Sequence, residues 1–99
     1  MFEKDDKRRL YWLMDSYLSD KIDERTFCDE FYYSYSLEIS DDDLSELEKK
    51  VFPELDTVSS RFSEFEEDHK LDARAFYTKD QLYQKIQETR DKLKAESPI

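Results

Sequence analysis

The chain has 99 residues, a formal net charge of −10 and a charged fraction of 42%. This length favours a single domain covering residues 1–99. Aromatic residues make up 15% of the chain, whereas disordered acidic chains are poor in aromatics, so we expect the domain to fold. Glycine is absent, which excludes glycine-rich phosphate-binding loops and the tight hairpin turns that require a positive φ. The composition therefore favours an all-α fold.

The sequence contains one cysteine, Cys28, and one histidine, His69. A disulfide needs two cysteines and a structural zinc site needs about four Cys and His ligands, so we expect neither. The run Asp41–Asp43 lacks the glycine and the alternate ligand positions of a calcium-binding loop. We therefore predict no metal, no cofactor and no catalytic residue, and we expect Cys28 to act as a small apolar filler on a helix flank.

The first predicted helix spans roughly residues 4–19. Its apolar side chains recur at the spacing of one helix face, at Leu10, Leu13, Met14, Tyr17 and Leu18. Trp12 falls beside this stripe, and we expect it to cover the edge of the core. The short connection that follows favours an antiparallel neighbour.

The second predicted helix begins at a capping residue. Asp23 is placed to accept hydrogen bonds from the first turn, and Ile22 before it is placed to contact Phe27. The core face is predicted to continue through Phe27, Phe31 and Tyr35. That spacing leaves Tyr32 and Tyr33 facing outward, where they are candidate contacts for a partner protein.

The third predicted helix begins after Ser40, with Asp41–Asp43 in its first turn, where carboxylates interact favourably with the helix macrodipole. Its core face is predicted to carry Leu44, Leu47, Val51, Leu55, Val58 and Phe62. Pro53 lies inside this pattern and removes one backbone hydrogen bond. We therefore expect either a kink at Pro53 or a break into two shorter helices.

A loop of about fifteen residues, 63–77, precedes the last helix and has no helical period. Its acidic start holds Glu64, Phe65, Glu66, Glu67 and Asp68. The last helix is predicted to begin at Thr78, with Gln81 completing a capping box. The core face of this helix holds Leu82, Ile86 and Leu93. Together the elements predict a small antiparallel four-helix bundle with a long acidic loop before its last helix.

The excess negative charge is concentrated in one third of the chain. Residues 38–68 contain twelve acidic and three basic residues, a net charge of −9, whereas residues 1–37 carry −3 and residues 69–99 carry +2. Clustering of this kind increases self-repulsion, so solubility alone does not account for it. Two interpretations remain open: a solvated acidic face, or a surface that binds a strongly basic partner.

The candidate binding residues on this acidic third are Asp41–Asp43, Glu46 and the loop residues 64–68, with the tyrosines at 32 and 33 beside them in the chain. Direct binding of nucleic acid is disfavoured, because phosphate contacts need clusters of lysine and arginine. The longest uncharged stretch near the N-terminus, Leu10–Met14, is too short for a signal peptide or a membrane span. We therefore expect a cytoplasmic protein with no membrane contact.

Three segments resemble a known family. They are DSYLSDKIDERTFCDEF at 15–31, SRF at 60–62, which ends the third predicted helix before the acidic loop, and FYTKDQL at 76–82, which opens the last helix. Their order and spacing resemble the small immunity proteins of the colicin D type, including those that accompany contact-dependent growth-inhibition toxins.

The resemblance implies a four-helix protein that binds a cognate tRNA-cleaving toxin domain and blocks its basic cleft. It implies that the acidic segment Glu64–Asp68 contributes to the toxin-binding surface. We expect the free protein to be a monomer. The alternative is an acidic nucleic-acid mimic or regulatory adaptor that binds a basic host protein. An enzyme is a third hypothesis, which the single cysteine and single histidine disfavour.

Overall fold

The computed structural model describes residues 2–63, residue 70 and residues 76–99. Across these residues the fold is all-α, with four α-helices, which we label α1 (Arg8–Leu18), α2 (Glu24–Phe31), α3 (Glu46–Ser60) and α4 (Lys79–Lys92). A π-helix, Tyr32–Ser36, continues α2, and short 3-10 turns lie at Asp41–Asp43 and Lys94–Glu96. The prediction of an all-α, four-helix fold is confirmed.

The core lies where α4 packs against both α1 and α3, and where α1 packs against α2. Apolar side chains that the sequence pattern assigned to the core are buried in one cluster, among them Leu10, Leu13, Phe27, Phe31, Leu55, Leu82, Ile86 and Leu93. Trp12 is half-buried at the edge of this cluster, as predicted. Within the described ranges, no helix is long and apolar enough to cross a membrane.

The first helix begins at Arg8, later than predicted. The carboxylate of Asp6 accepts a hydrogen bond from the backbone N–H of Arg8 at 2.9 Å and is also paired with the Arg8 guanidinium. A side-chain acceptor two residues before an N–H stabilises a turn rather than a continuing helix. Residues 4–7 therefore lead into α1 and are not part of it.

The capping predictions for the second and last helices are confirmed. The side chain of Asp23 accepts from the backbone N–H of Thr26 at 2.8 Å, which satisfies one of the free donors at the start of α2. Thr78 and Gln81 form both hydrogen bonds of a capping box at the start of α4. These local interactions determine where α2 and α4 begin.

The predicted start of the third helix is wrong. Ser40 does cap a turn, because its hydroxyl accepts from the N–H of Asp42, but that turn is the separate 3-10 turn Asp41–Asp43. Leu44 then adopts an extended backbone, and α3 begins after Ser45, which forms a complete capping box with Glu48. The second cap has the stronger signal, because only Ser45 is followed by a glutamate at the third position.

Pro53 lies inside α3, which runs without interruption from Glu46 to Ser60. The predicted alternative of two shorter helices is therefore wrong. Because proline has no N–H, one backbone carbonyl in the preceding turn of α3 lacks its usual donor. Pro53 is exposed, so water can hydrogen-bond to that carbonyl.

Candidate functional site

The exposed aromatic side chains at the end of α2 form the first part of the candidate site. Tyr32 and Tyr33 are 49% and 44% exposed, as the sequence predicted, and their rings meet edge to face at 5.9 Å. Tyr35, in contrast, stacks on Phe31 at 5.3 Å and belongs to the core side of the helix. The ammonium of Lys4 lies 5.5 Å from the centre of the Tyr33 ring, so this surface already holds one cation–π contact.

The π-helical backbone accounts for this arrangement. One π-turn widens the helix and shifts the side chains that follow relative to an α-helix. In this turn Ser34 is fully buried, and its hydroxyl has no hydrogen-bond partner among the described residues. Tyr32 and Tyr33 are thereby held on the outer surface while Tyr35 returns to the core.

A groove of about 540 Å³ lies beside these tyrosines, between α2 and α3. One wall is formed by Cys28, Asp29, Tyr32 and Tyr33, and the other by Asp56 and Ser59. Phe62 and Phe76 also contact the groove and contribute apolar surface. The groove therefore combines an apolar lining with aromatic and acidic walls, as small binding sites commonly do.

The two acidic side chains of the groove have no ion-pair partner among the described residues. Asp56 is half-buried, and burial raises the pKa of its carboxyl although a hydrogen bond with Ser36 lowers it in part. Asp29, on the other wall, is exposed. Arg25 also contacts the groove but forms no salt bridge with a described acid. The described part of the lining therefore has one positive and two negative side chains.

The 3-10 turn of three aspartates precedes the start of α3, whereas the groove lies beside the end of that helix. Burial raises the pKa of Tyr35, and the charges of Asp56 and Asp41 raise it further. Asp41–Asp43 are all exposed and have no ion-pair partner in the described part of the chain. The structure therefore brings Tyr32, Tyr33 and Asp56 to the groove, while the three aspartates lie outside its described lining.

The remaining predicted site residues fall into two groups. The side chain of Glu46 is 97% exposed at the start of α3, with its carboxylate 3.8 Å from the ammonium of Lys49. Glu64–Asp68 and His69 lie outside the described residues. The flanks of that segment are placed: Ser63 N–H donates to the Tyr77 carbonyl at 3.1 Å, and Tyr77 N–H donates to the Arg61 carbonyl at 2.9 Å. Ser63 itself contacts the groove.

A buried carboxylate, Glu48, was not singled out by the sequence. It is fully buried and accepts from the Tyr11 hydroxyl at 2.6 Å, the Lys7 ammonium at 3.1 Å and the Ser45 N–H at 2.7 Å. Burial alone would raise the pKa of Glu48, but these three hydrogen bonds outweigh it and hold the pKa below its usual value. The serine-to-glutamate spacing of a capping box was the signal that could have found it.

Cys28 is half-buried on the flank of α2, where the sequence predicted a filler. Burial, together with the charges of Asp29 and Glu24, raises the pKa of its thiol to about 12. The thiol is therefore protonated at neutral pH and is a poor nucleophile. Among the described residues, no three metal-ligating side chains come together.

The chain was compared with known protein families, with curated proteins and with solved structures, and no match was found in any of the three.

Proposed function

We propose that this protein is an immunity protein, which binds a bacterial toxin nuclease in the cytoplasm and blocks its basic, RNA-binding cleft. The observation that carries the proposal is the state of the acidic residues in the −9 segment. Asp41–Asp43 are exposed and have no ion-pair partner within the described structure, and neither has Asp56 in the groove between α2 and α3. A surface that only had to be soluble would gain from pairing or dispersing these charges.

Electrostatic attraction supplies the speed of the proposed interaction. A concentrated negative surface attracts a positively charged cleft from a distance and raises the rate of association. Speed matters for an immunity protein because free toxin damages the cell that produces it. This attraction weakens as salt shortens the screening length, so the association rate is expected to fall with ionic strength.

The exposed tyrosines supply contacts that hold the complex together. Tyrosine is enriched among the residues that dominate protein–protein binding energy, because it buries a large surface and loses little side-chain entropy. Tyr32 and Tyr33 contact one another and border the groove, so a partner seated over the groove would cover both. Their burial would slow dissociation.

The proposal includes a mechanism without a chemical step, in which the bound protein denies RNA access to the cleft. It also includes the finer predictions of the fold: helices that run antiparallel and a kink at Pro53. The acidic segment Glu64–Asp68 is expected to contribute to the same surface, since Ser63 before it contacts the groove.

The test is protection of growing cells. The cognate toxin domain that the proposal requires is induced in bacteria that carry the native protein, Asp42→Lys, or the double variant Glu66→Lys/Glu67→Lys. The native protein should restore growth. Both variants should protect poorly, because like charges facing each other at an interface cost several kcal/mol.

The matched control is Asp91→Lys, which reverses an exposed acid on α4 and should protect like the native protein. Association rates of the purified proteins, measured at low and high salt, complete the design. Equal protection by every variant, with a rate that does not respond to salt, would contradict the proposal. Binding to a basic host protein with no protection against any toxin would instead support a regulatory adaptor.

A further inference from the structure

We propose that the groove between α2 and α3 receives an arginine side chain of the bound partner, with Asp56 accepting hydrogen bonds from the guanidinium. The partner's identity rests on the proposed function, whereas the chemistry of the groove rests on its own residues. The groove measures about 540 Å³ and opens beside Tyr32 and Tyr33. It has room for a long side chain together with part of the backbone that carries it.

The carboxylates supply the charge complementarity. Asp56 is half-buried and forms no ion pair with a described cation, although Arg25 contacts the same groove. Its carboxylate can therefore pair with a guanidinium from outside. Asp29 adds a second negative charge from the opposite wall. A charge-assisted pair in a partly desolvated groove is stronger than the same pair on an open surface.

The lining of the groove suits the rest of an arginine side chain. Cys28, Phe62 and Phe76 provide apolar surface for the methylene stem. The rings of Tyr32 and Tyr33 border the same space, and a planar guanidinium stacks on aromatic faces better than an ammonium does. Tyr33 already attracts a cation, since Lys4 lies over its ring. These features favour arginine over lysine.

The experiment uses the full chain, labelled with ¹⁵N, and a tetra-arginine peptide amide as the probe. Titration should produce saturable shifts at the amides of Cys28, Tyr32 and Ser59. A tetra-citrulline peptide, which keeps the side-chain shape but removes the charge, should produce none. A tetra-lysine peptide should bind the same amides several-fold more weakly.

Two variants on α3 separate the groove from the general acidity of the molecule. Asp56→Asn and Glu54→Gln each remove one negative charge, but only Asp56 contacts the groove. Asp56→Asn should weaken tetra-arginine binding by about tenfold, as expected for loss of a charge-assisted hydrogen bond. Glu54→Gln should change it by less than about twofold, because Glu54 is exposed and its charge is screened.

Several results would overturn the inference. Equal weakening by the two variants, or shifts spread over all the acidic residues, would show non-specific attraction to a protein of charge −10. Spermidine that saturates the groove as tightly as tetra-arginine would show a site for small cations.

If Asp56→Asn loses the peptide but still protects fully against the toxin, the groove has no part in partner binding and the proposed function stands. If the peptide binds as described but no toxin is neutralised, the groove chemistry is supported and the proposed function fails.

Discussion

Helix α3 holds two buried or half-buried carboxylates that are treated in opposite ways. Near its start, Glu48 is fully buried and accepts hydrogen bonds from Tyr11, Lys7 and Ser45. Near its end, Asp56 is half-buried in a groove and has no ion-pair partner among the described residues. Burial disfavours the charge of both groups. Only at Glu48 do the surroundings compensate, so the pKa is lowered there and raised at Asp56.

The difference distinguishes a structural carboxylate from one that is available for binding. The Glu48 cluster joins α1 to the start of α3, and the neighbouring Ser45 hydroxyl also donates to Glu96 in the C-terminal segment. Arg90 of α4 lies over the Tyr11 ring and pairs with Asp15. That end of the molecule is therefore closed by polar contacts, whereas the groove end keeps its acidic side chains available to a partner.

The largest effect is expected from Glu48→Ala. The substitution leaves the buried Tyr11 hydroxyl and the Ser45 N–H without their acceptor and removes the partner of Lys7. Breaking a buried, hydrogen-bonded charge cluster in this way costs about 3 kcal/mol of unfolding free energy, measurable by urea denaturation. Glu46→Ala, two residues earlier and 97% exposed, is the control and should cost about 0.5 kcal/mol. Similar losses of unfolding free energy for Glu48→Ala and Glu46→Ala would show that the buried Glu48 contributes no more to stability than an exposed carboxylate.

The next largest effect concerns the other end of the molecule. Tyr33→Ala should weaken toxin binding by about 2 kcal/mol, or about thirtyfold in Kd, if Tyr33 is a central contact. The unfolding free energy should change by less than about 1 kcal/mol, because the side chain is 44% exposed. Tyr83→Ala is the matched control: Tyr83 is 42% exposed on α4, packed on Tyr17. A larger loss of binding in the control would move the interface to α4.

A smaller loss is expected from Tyr11→Phe, which removes one hydroxyl from the Glu48 cluster and leaves the ring against Phe52. Glu48 keeps its hydrogen bonds from Lys7 and Ser45, so the loss should be about 1 to 2 kcal/mol. Chemical denaturation of the single and double variants of Tyr11 and Glu48 measures their coupling. Strictly additive losses would show that the hydroxyl and the carboxylate act independently.

The pH dependence of unfolding tests the same cluster. Because the folded pKa of Glu48 is lowered, its contribution is present above the ordinary carboxyl range and is lost as pH falls through the folded value. The difference in urea midpoint between the native protein and Glu48→Gln should therefore be largest near pH 7 and should narrow towards pH 3. A difference independent of pH would show that packing, not charge, carries the stabilisation.

Local signals account for what the sequence predicted correctly. The starts of α2 and α4 depend on side chains within three residues of the cap, at Asp23 and Thr78. The third start was placed at Ser40 because Asp41–Asp43 follow it as an acidic first turn. The capping box between Ser45 and Glu48 instead starts α3 after Ser45. The first helix was drawn too long because Asp6 turns the chain just before Arg8.

The candidate site was predictable only in part, for a different reason. Exposure of Tyr32 and Tyr33 follows from the spacing of Phe27, Phe31 and Tyr35, which is a local pattern. The groove depends on a π-turn and on the approach of α2 to α3, which brings Asp56 to the tyrosines across the fold. No local spacing encodes that approach. Net charge by segment pointed to the acidic surface but gave no means of telling the buried Glu48 from the available Asp56.

The smallest effect on stability is expected from Asp56→Asn, the substitution of the half-buried carboxylate of α3. Since the folded pKa of Asp56 lies above its usual value, its charged form is disfavoured by folding. Its favourable contribution is therefore present at low pH and is lost as pH rises through the raised pKa. An asparagine carries no charge and can still accept the hydrogen bond from Ser36. The variant should therefore be at least as stable as the native protein at pH 7, by up to about 0.5 kcal/mol, and the gap should close near pH 3.

Glu54→Gln, on the same helix, is the control, because its effect on stability at pH 7 should be in the opposite direction. Glu54 pairs with Lys85 at 3.3 Å on an exposed surface, so its removal should slightly lower stability at pH 7. Urea denaturation of the native protein, Asp56→Asn and Glu54→Gln at pH 3 and pH 7 measures the direction of each change in stability. We expect Asp56→Asn to be as stable as the native protein or more stable, and to bind the arginine peptide more weakly. Together these results would show that Asp56 contributes to binding and not to stability. If Asp56→Asn instead lost more than about 1 kcal/mol at pH 7, Asp56 would belong with Glu48 among the residues that hold the fold together.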